Sequence, residues 1–339
     1  MSNIYFHSAL AKKTCLSVTM AAVMAGSAFA GNEPYLTHFQ QLTNDGNSIA
    51  PQFSPMSSNA VGFTHSKYQG IYLLNDVKKA IKALRARKAE LAMPEELTSN
   101  LGSGFKFAWG PKGKRILYRI AKKVKSGKAK FGGKYLKHAL TMIDLQTKQH
   151  TDLSGEAEVI SVPRVRDGKV FFEKDGEQKW VNLSEIEMSK MNLNTVTTET
   201  LSIVEKDGRI MMGEKTLSDP DTQCWLPALS PNGKNAHFEC ANGLYIYNGI
   251  KDKVIFLGTG TNARWARNSG QLVYEKTTDN GHDITGSDIY LVNYDGTNQV
   301  NLTSRFGGIA RRPTLSADGK TVAMDIDGNI YTAQLKGGK

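Results

Sequence analysis

Long apolar runs are missing from almost all of this 339-residue chain. After residue 30 no stretch approaches the eighteen or more apolar residues that a membrane-spanning helix needs, so no such helix is expected in the mature chain. Motifs that carry catalysis are missing as well. There is no G-x-S-x-G to place a hydrolase nucleophile on a strand–helix turn, and neither H-E-x-x-H nor C-x-x-C occurs. Gly258-Thr259-Gly260-Thr261-Asn262-Ala263 imitates a dinucleotide fingerprint. Arg264-Trp265-Ala266 continues it as a strand, however, which leaves a phosphate no helix N-terminus. Asp325-Ile326-Asp327-Gly328-Asn329 begins like a calcium loop, yet Lys336 stands where the closing Glu belongs, and the segment reads as a turn between strands. The seven histidines offer no pair at ligand spacing; His237 reads as structural, and His65 as lying near an entrance to the fold. No catalytic residue, metal or cofactor is expected.

Cysteine is scarce, with three residues, and the first lies in a segment unlike the rest. Lys12 and Lys13 precede an apolar run from Cys15 to Ala25, and Ala28-Phe29-Ala30 follows as a small-x-small cleavage pattern. Residues 1–30 therefore read as a signal peptide cut near Ala30, with a short buried helix as the alternative, and residues 31–339 as one domain. A lipid anchor on Cys15 does not fit, because the apolar run follows that cysteine instead of preceding it. Cys224 and Cys240 remain, and an exported chain meets oxidant. They lie symmetrically about Asn232 in the turn Pro231-Asn232-Gly233, so a hairpin there sets them face to face on neighbouring strands. A disulfide is expected; two buried thiols are the alternative.

What is present is a repeat. The clearest copy runs Trp225-Leu226-Pro227-Ala228-Leu229, turn Ser230–Lys234, Ala236-His237-Phe238-Glu239, Leu244-Tyr245-Ile246-Tyr247 and Val254–Leu257. Two more begin at Ala263 and Arg312, and three looser ones at Ala50, Phe107 and Val162. Pro or Ser opens each turn and Gly supplies a positive φ, while alternating apolar residues make half-buried strands. Sheets this small bury both faces only by stacking around an axis, and repeats of roughly 40–50 residues with four strands are the mark of a propeller. Six blades with an elaborated third are expected. The segment 184–221 holds a further hairpin, Ser202-Ile203-Val204 to Ile210-Met211-Met212, which leaves seven blades with a degenerate fourth as the alternative. The last copy stops at Leu335 with three strands, and Phe39-Gln40-Gln41-Leu42-Thr43 resembles the fourth strand Val300-Asn301-Leu302-Thr303. The first strand is thus predicted to complete the last blade.

Ser-Pro-Asn-Gly-Lys at 230–234 and Ser-Ala-Asp-Gly-Lys at 316–320, each after a Pro-x-apolar strand and before an Ile/Leu-Tyr strand, resemble the WD-like repeats of the TolB propeller. The resemblance covers roughly residues 39–335 and omits the α/β domain that precedes the propeller in TolB. It implies a six-bladed periplasmic protein that binds partners without catalysis. Related repeats occur in the gating propellers of prolyl-oligopeptidase-type peptidases and in oligogalacturonate lyases. The alternative function is therefore a lyase or hydrolase acting on an acidic polysaccharide or peptide.

The basic charge is local. Residues 76–92 hold six basic and two acidic residues, and residues 112–138 hold eleven basic and no acidic ones. The whole chain carries +11, so the remainder is acidic on balance. The first stretch reads as a helical insertion in blade 1, with Val77, Ala80, Ile81, Leu84 and Leu91 near one face and Pro94 ending it. The second reads as a basic hairpin arm in blade 2, where Lys122, Lys123, Lys125, Lys128 and Lys130 are expected to touch an anionic surface. A solvated loop is the plainer alternative. Loops entering the innermost strands bring Lys106, Arg164, Trp225, Arg264, Arg311 and Arg312 to one mouth of the channel, as an anion-attracting site or as partners of neighbouring carboxylates. The expected partner is an envelope protein, a peptide, or an anionic glycan or lipid head group. Nucleic acid is not expected, given export and the lack of an aromatic stacking platform.

Overall fold

The computed structural model describes residues 33–88, 93–124, 135–166, 168–183, 194–195, 203–306 and 308–337. The segment read as a signal peptide lies outside the described residues. Strand β1 (Tyr35–Gln41) leads into blade 1, formed by β2 (Ser48–Ser54), β3 (Ser57–His65), β4 (Gln69–Leu74) and β5 (Glu95–Thr98). Blade 2 is β6 (Ala108–Trp109), β7 (Arg115–Val124), β8 (Tyr135–Asp144) and β9 (His150–Asp152). Blade 3 is β10 (Arg164–Arg166), β11 (Lys169–Lys174), β12 (Glu177–Asn182) and β13 (Asn194–Thr195). Blade 4 is β14 (Ile203–Lys206), β15 (Arg209–Met212) and β16 (Lys215–Thr216). Blade 5 is β17 (Cys224–Leu229), β18 (Asn235–Cys240), β19 (Gly243–Asn248) and β20 (Lys253–Phe256). Blade 6 is β21 (Thr261–Trp265), β22 (Gln271–Asp279), β23 (Ile284–Asn293) and β24 (Val300–Asn301). Blade 7 is β25 (Ala310–Leu315), β26 (Thr321–Ile326) and β27 (Asn329–Lys336), with β1 as its outer strand.

Seven blades therefore replace the six expected. The hairpin at 203–212 is not an elaboration of blade 3, because it has a core of its own. Ile203, Ile210 and Leu217 are buried with Cys224, Ala236 and Phe238 of blade 5. Five other apolar layers lie between blades 1 and 2, 2 and 3, 5 and 6, 6 and 7, and 7 and 1. At these six seams the sheets bury their faces against their neighbours, as radial stacking requires.

The ring closes as predicted. Strand β1 pairs antiparallel with β27, Leu36 opposite Leu335 and Gln41 opposite Tyr331. One clasp recurs at the blade ends. A Leu N–H donates back to the third strand, and the hydroxyl of the next residue accepts from that strand. Leu42 and Thr43 hold Ile330 at 2.7 and 2.9 Å, and Leu302 and Thr303 hold Ile289 at 2.7 and 2.9 Å. Leu153 with Ser154 holds Leu140, and in three-stranded blade 4 Leu217 with Ser218 holds Ile210 of the middle strand, β15.

The basic stretch of blade 1 contains α1 (Val77–Arg85), capped by the Asp76 carboxylate at 2.9 Å from the N–H of Lys79. It buries Val77, Ala80 and Ala83 against blades 1 and 7, with Ile81 and Leu84 beside them. The helix ends at Arg85, well before Pro94. Cys224 and Cys240 occupy directly paired positions of β17 and β18 and form a disulfide.

Candidate functional site at the mouth of the ring

The inner strands carry a repeated irregularity. The ladder register skips between Ile49 and Gln52, Trp225 and Ala228, Thr261 and Arg264, and Arg311 and Thr314. Within each skip one residue has left-handed backbone: Ala50 at φ 53°, Leu226 at 51°, Asn262 at 53° and Arg312 at 48°. Lys106 at 52° holds the same place in blade 2. An L-residue there costs about 1–2 kcal/mol. The bulge turns its N–H out of the ladder, where it needs another acceptor.

Three blades supply that acceptor from the preceding blade. Glu239, Glu275 and Asp325 occupy one equivalent position of the second strand, opposite Trp225, Thr261 and Arg311. Glu239 accepts from Asn262 N–H at 2.9 Å, Asp325 accepts from Ala50 N–H at 3.0 Å, and Glu275 accepts from Arg312 N–H. Carboxylates thus latch blade 5 to 6, 6 to 7 and 7 to 1. An acid inside an apolar second strand was the available signal in Phe238-Glu239-Cys240, Tyr274-Glu275 and Met324-Asp325-Ile326.

The predicted cations divide into two sets. Arg311 pairs with Glu275 at 3.0 Å, and Arg312 grips Asp325 at 2.8 and 2.5 Å. Arg164 donates to Ile203 O at 2.5 Å and to Gln178 at 3.4 Å, tying blade 3 to blade 4. Trp225 stands on the rim, 39% exposed. Lys106 and Arg264 differ from these. Among the described residues their charged groups make no ion pair within 4.0 Å and no hydrogen bond. Both line one cavity of about 20 Å³ at the axis, together with Arg312, Asn262, Tyr68 and Phe105. Burial, reinforced by the nearby Arg264 charge, lowers the Lys106 ammonium to about 8. Burial likewise pushes the Glu239 carboxyl up, against the pull of Lys106.

His237 lies on the same face of β18 as Glu239, two residues farther along the strand. It is buried, and burial, then the Lys106 and Arg264 charges, lower it to about 3, so the ring is neutral. Among the described residues its Nδ1 has no hydrogen-bond partner. His65 stacks on Tyr72 and lies 3.4 Å from Asp45, outside the cavity lining. Among the described residues no group of three or more His, Cys, Asp or Glu side chains is placed to hold a metal ion.

The loops that enter the inner strands share a face with the turns joining second to third strands. That face bears the β7–β8 hairpin. Its strands pair from Arg115–Asp144 to Val124–Tyr135, five residues beyond Arg119. At about 3.4 Å per residue the hairpin rises roughly 17 Å past the mouth. Its foot is held where His138 and Ala157 exchange backbone bonds at 2.8 and 2.9 Å. Lys122 is exposed and lies 3.5 Å from Glu156, and Lys123 follows on β7. Lys125, Lys128 and Lys130 lie outside the described residues. Exposed apolar side chains on this face are Leu101, Leu136, Val159 and Trp225. The helix α1, between third and fourth strands, lies at the opposite face.

No protein-family model matches the chain, and no curated protein matches it. Solved structures do. A chain of the mitotic checkpoint complex is 11% identical over 92% of this chain and 98% of its own length, with a TM-score of 0.51. A protein assigned as TolB from Agrobacterium tumefaciens is 13% identical over 91% of this chain and 99% of its own, at 0.48. An oligogalacturonate lyase in complex with manganese is 13% identical over 87% and 79%, at 0.47. At such identities the likeness is one of fold.

Proposed function

We propose that this β-propeller is an exported, TolB-like binding scaffold of the periplasm, without catalytic activity, that receives an acidic envelope protein on its mouth face. The observation that carries the reading is the pairing state of the axial cations. Arg311 and Arg312 are neutralised by latch carboxylates, whereas Lys106 and Arg264 keep positive charge at the mouth. The basic hairpin rises on that same face, and Leu101, Val159 and Trp225 add exposed apolar area around it. Aromatic and aliphatic anchors beside cations suit a protein surface of opposite charge. The disulfide between Cys224 and Cys240 fits an oxidising compartment.

Three measurements test this. The mature N-terminus, sequenced from the envelope fraction, is expected near Gly31; an uncut chain in the cytosol would remove the export reading. Site-specific crosslinking in cells should trap the same partner from Leu101, Val159 and Trp225, and none from Ile250 on the opposite face. Trapping from Ile250 alone would overturn the choice of face. Turnover of polygalacturonate by the purified protein, absent in Lys106→Met, would replace the scaffold by the lyase alternative.

A further inference from the structure

We propose that the axial cavity is a binding site for a single carboxylate group, clamped between Lys106 and Arg264. The inference rests on the mouth face being the binding face, and it names what the centre of that face takes.

Three observations carry it. First, two like charges face one small cavity, and each lacks a counter-ion in contact. The carboxylates nearest Lys106 accept from other groups, Glu239 from the Asn262 N–H and Glu275 from Arg311, Asn262 and Arg312, and Glu239 attracts Lys106 and Arg264 only from beyond ion-pair distance. Second, the charge around the cavity does not balance. Of the cations near it, Arg311 and Arg312 are matched by Glu275 and Asp325, whereas Lys106 and Arg264 contact no acid among the described residues, and Arg119 lies close by over the lining residue Phe105. Third, His237, close enough to Lys106 and Arg264 to feel their charges, is 5% exposed, and its Nδ1 has no partner among the described residues.

The cavity selects the class. About 20 Å³ open to the centre of a water exceeds the 10–15 Å³ that one water needs, and falls far short of a sugar ring. A planar two-oxygen group matches the guanidinium fork of Arg264, while the Lys106 ammonium acts as a point charge. Phosphate is bulkier than a carboxylate. Chloride has the charge but cannot use the fork.

The test is calorimetric titration of the exported, disulfide-bonded protein with sodium acetate at constant ionic strength, beside chloride and phosphate. Saturable acetate binding is expected, stronger than that of chloride or phosphate. Lys106→Met and Arg264→Gln should each weaken it about tenfold or more, the loss of one charge-assisted contact. Lys106→Arg should hold it within about threefold, and Lys112→Met, on the opposite face, should leave it unchanged. An acetate response that is the same in Lys106→Met, or matched by chloride, would overturn the proposal. Acetate that competes with poly-L-glutamate points to a carboxylate carried on a larger ligand; acetate that binds without competing points to a free one. Partner crosslinking that persists where acetate binding is absent sinks the clamp alone. Acetate binding without crosslinking at the mouth sinks only the partner reading.

Discussion

Asp325→Ala should be among the most damaging single substitutions in the protein. The carboxylate is 2% exposed and accepts from Arg312 at 2.8 and 2.5 Å and from the Ala50 N–H at 3.0 Å. Alanine leaves a buried guanidinium without a counter-charge and a left-handed residue without its acceptor, in the seam that shuts blade 7 against blade 1. Breaking a buried pair by removing one partner costs about 3–5 kcal/mol. Each kcal/mol moves the midpoint of a domain this large by about 2–4 °C, so scanning calorimetry should read a fall of roughly 6–20 °C. Asp325→Asn retains the shape and one acceptor, and should lose about half as much. Arg312→Met in the Asp325→Ala background should recover part of the loss, because it removes the orphaned charge. A loss below about 1 kcal/mol, or equal losses for Asn and Ala, would refute the latch.

Ile210→Ala should cost about 2–5 kcal/mol in urea unfolding, since Ile210 is fully buried in the layer between blades 4 and 5; a surface elaboration of blade 3 would lose under about 1 kcal/mol. Stability should fall with acid between pH 7 and 5 through His237. Its folded value of about 3 lies below the ordinary 6.5, so the unfolded chain binds the extra proton, and stability present above pH 6.5 is lost as pH drops. At about 1.4 kcal/mol per unit the loss reaches roughly 2 kcal/mol by pH 5, and His237→Phe should flatten that limb. Reduction of the Cys224–Cys240 bridge should lower the urea midpoint by an amount worth about 2–4 kcal/mol, while Cys224→Ser with Cys240→Ser should abolish any response to reductant.

The fold was legible where turn chemistry repeats. Ser230 and Ser316 each open a turn whose hydroxyl accepts from Asn235 and Thr321 at 3.0 Å, and those copies are the ones the resemblance rested on. The closing strand was legible because Leu42-Thr43 repeats Leu302-Thr303, and both pairs make the same clasp. The same signal stood at Leu217-Ser218 and would have counted blade 4, but no Pro-x-apolar sequence precedes its described strands of four, four and two residues. Periodicity says little about segments that short. At the mouth, sequence put Lys106, Arg264 and Arg312 on loops entering the inner strands, and all three line the cavity. It did not separate the paired arginines from the unpaired cations, because the pairing depends on acids about 13 and 36 residues away that only the register brings alongside. Tyr68 was unreadable for the same reason. It comes from a turn between the second and third strands of blade 1, and only the closed ring sets it at the axis.

The most direct test of the closed ring is a crosslink between its two ends. Thr37 and Gln334 are paired on β1 and β27. Thr37→Cys with Gln334→Cys should oxidise within one molecule and join the two peptides in a digest. Thr37→Cys with Thr332→Cys, out of register, should join far less. Equal crosslinking of both pairs, or crosslinking only between molecules, would contradict a propeller shut by its own first strand.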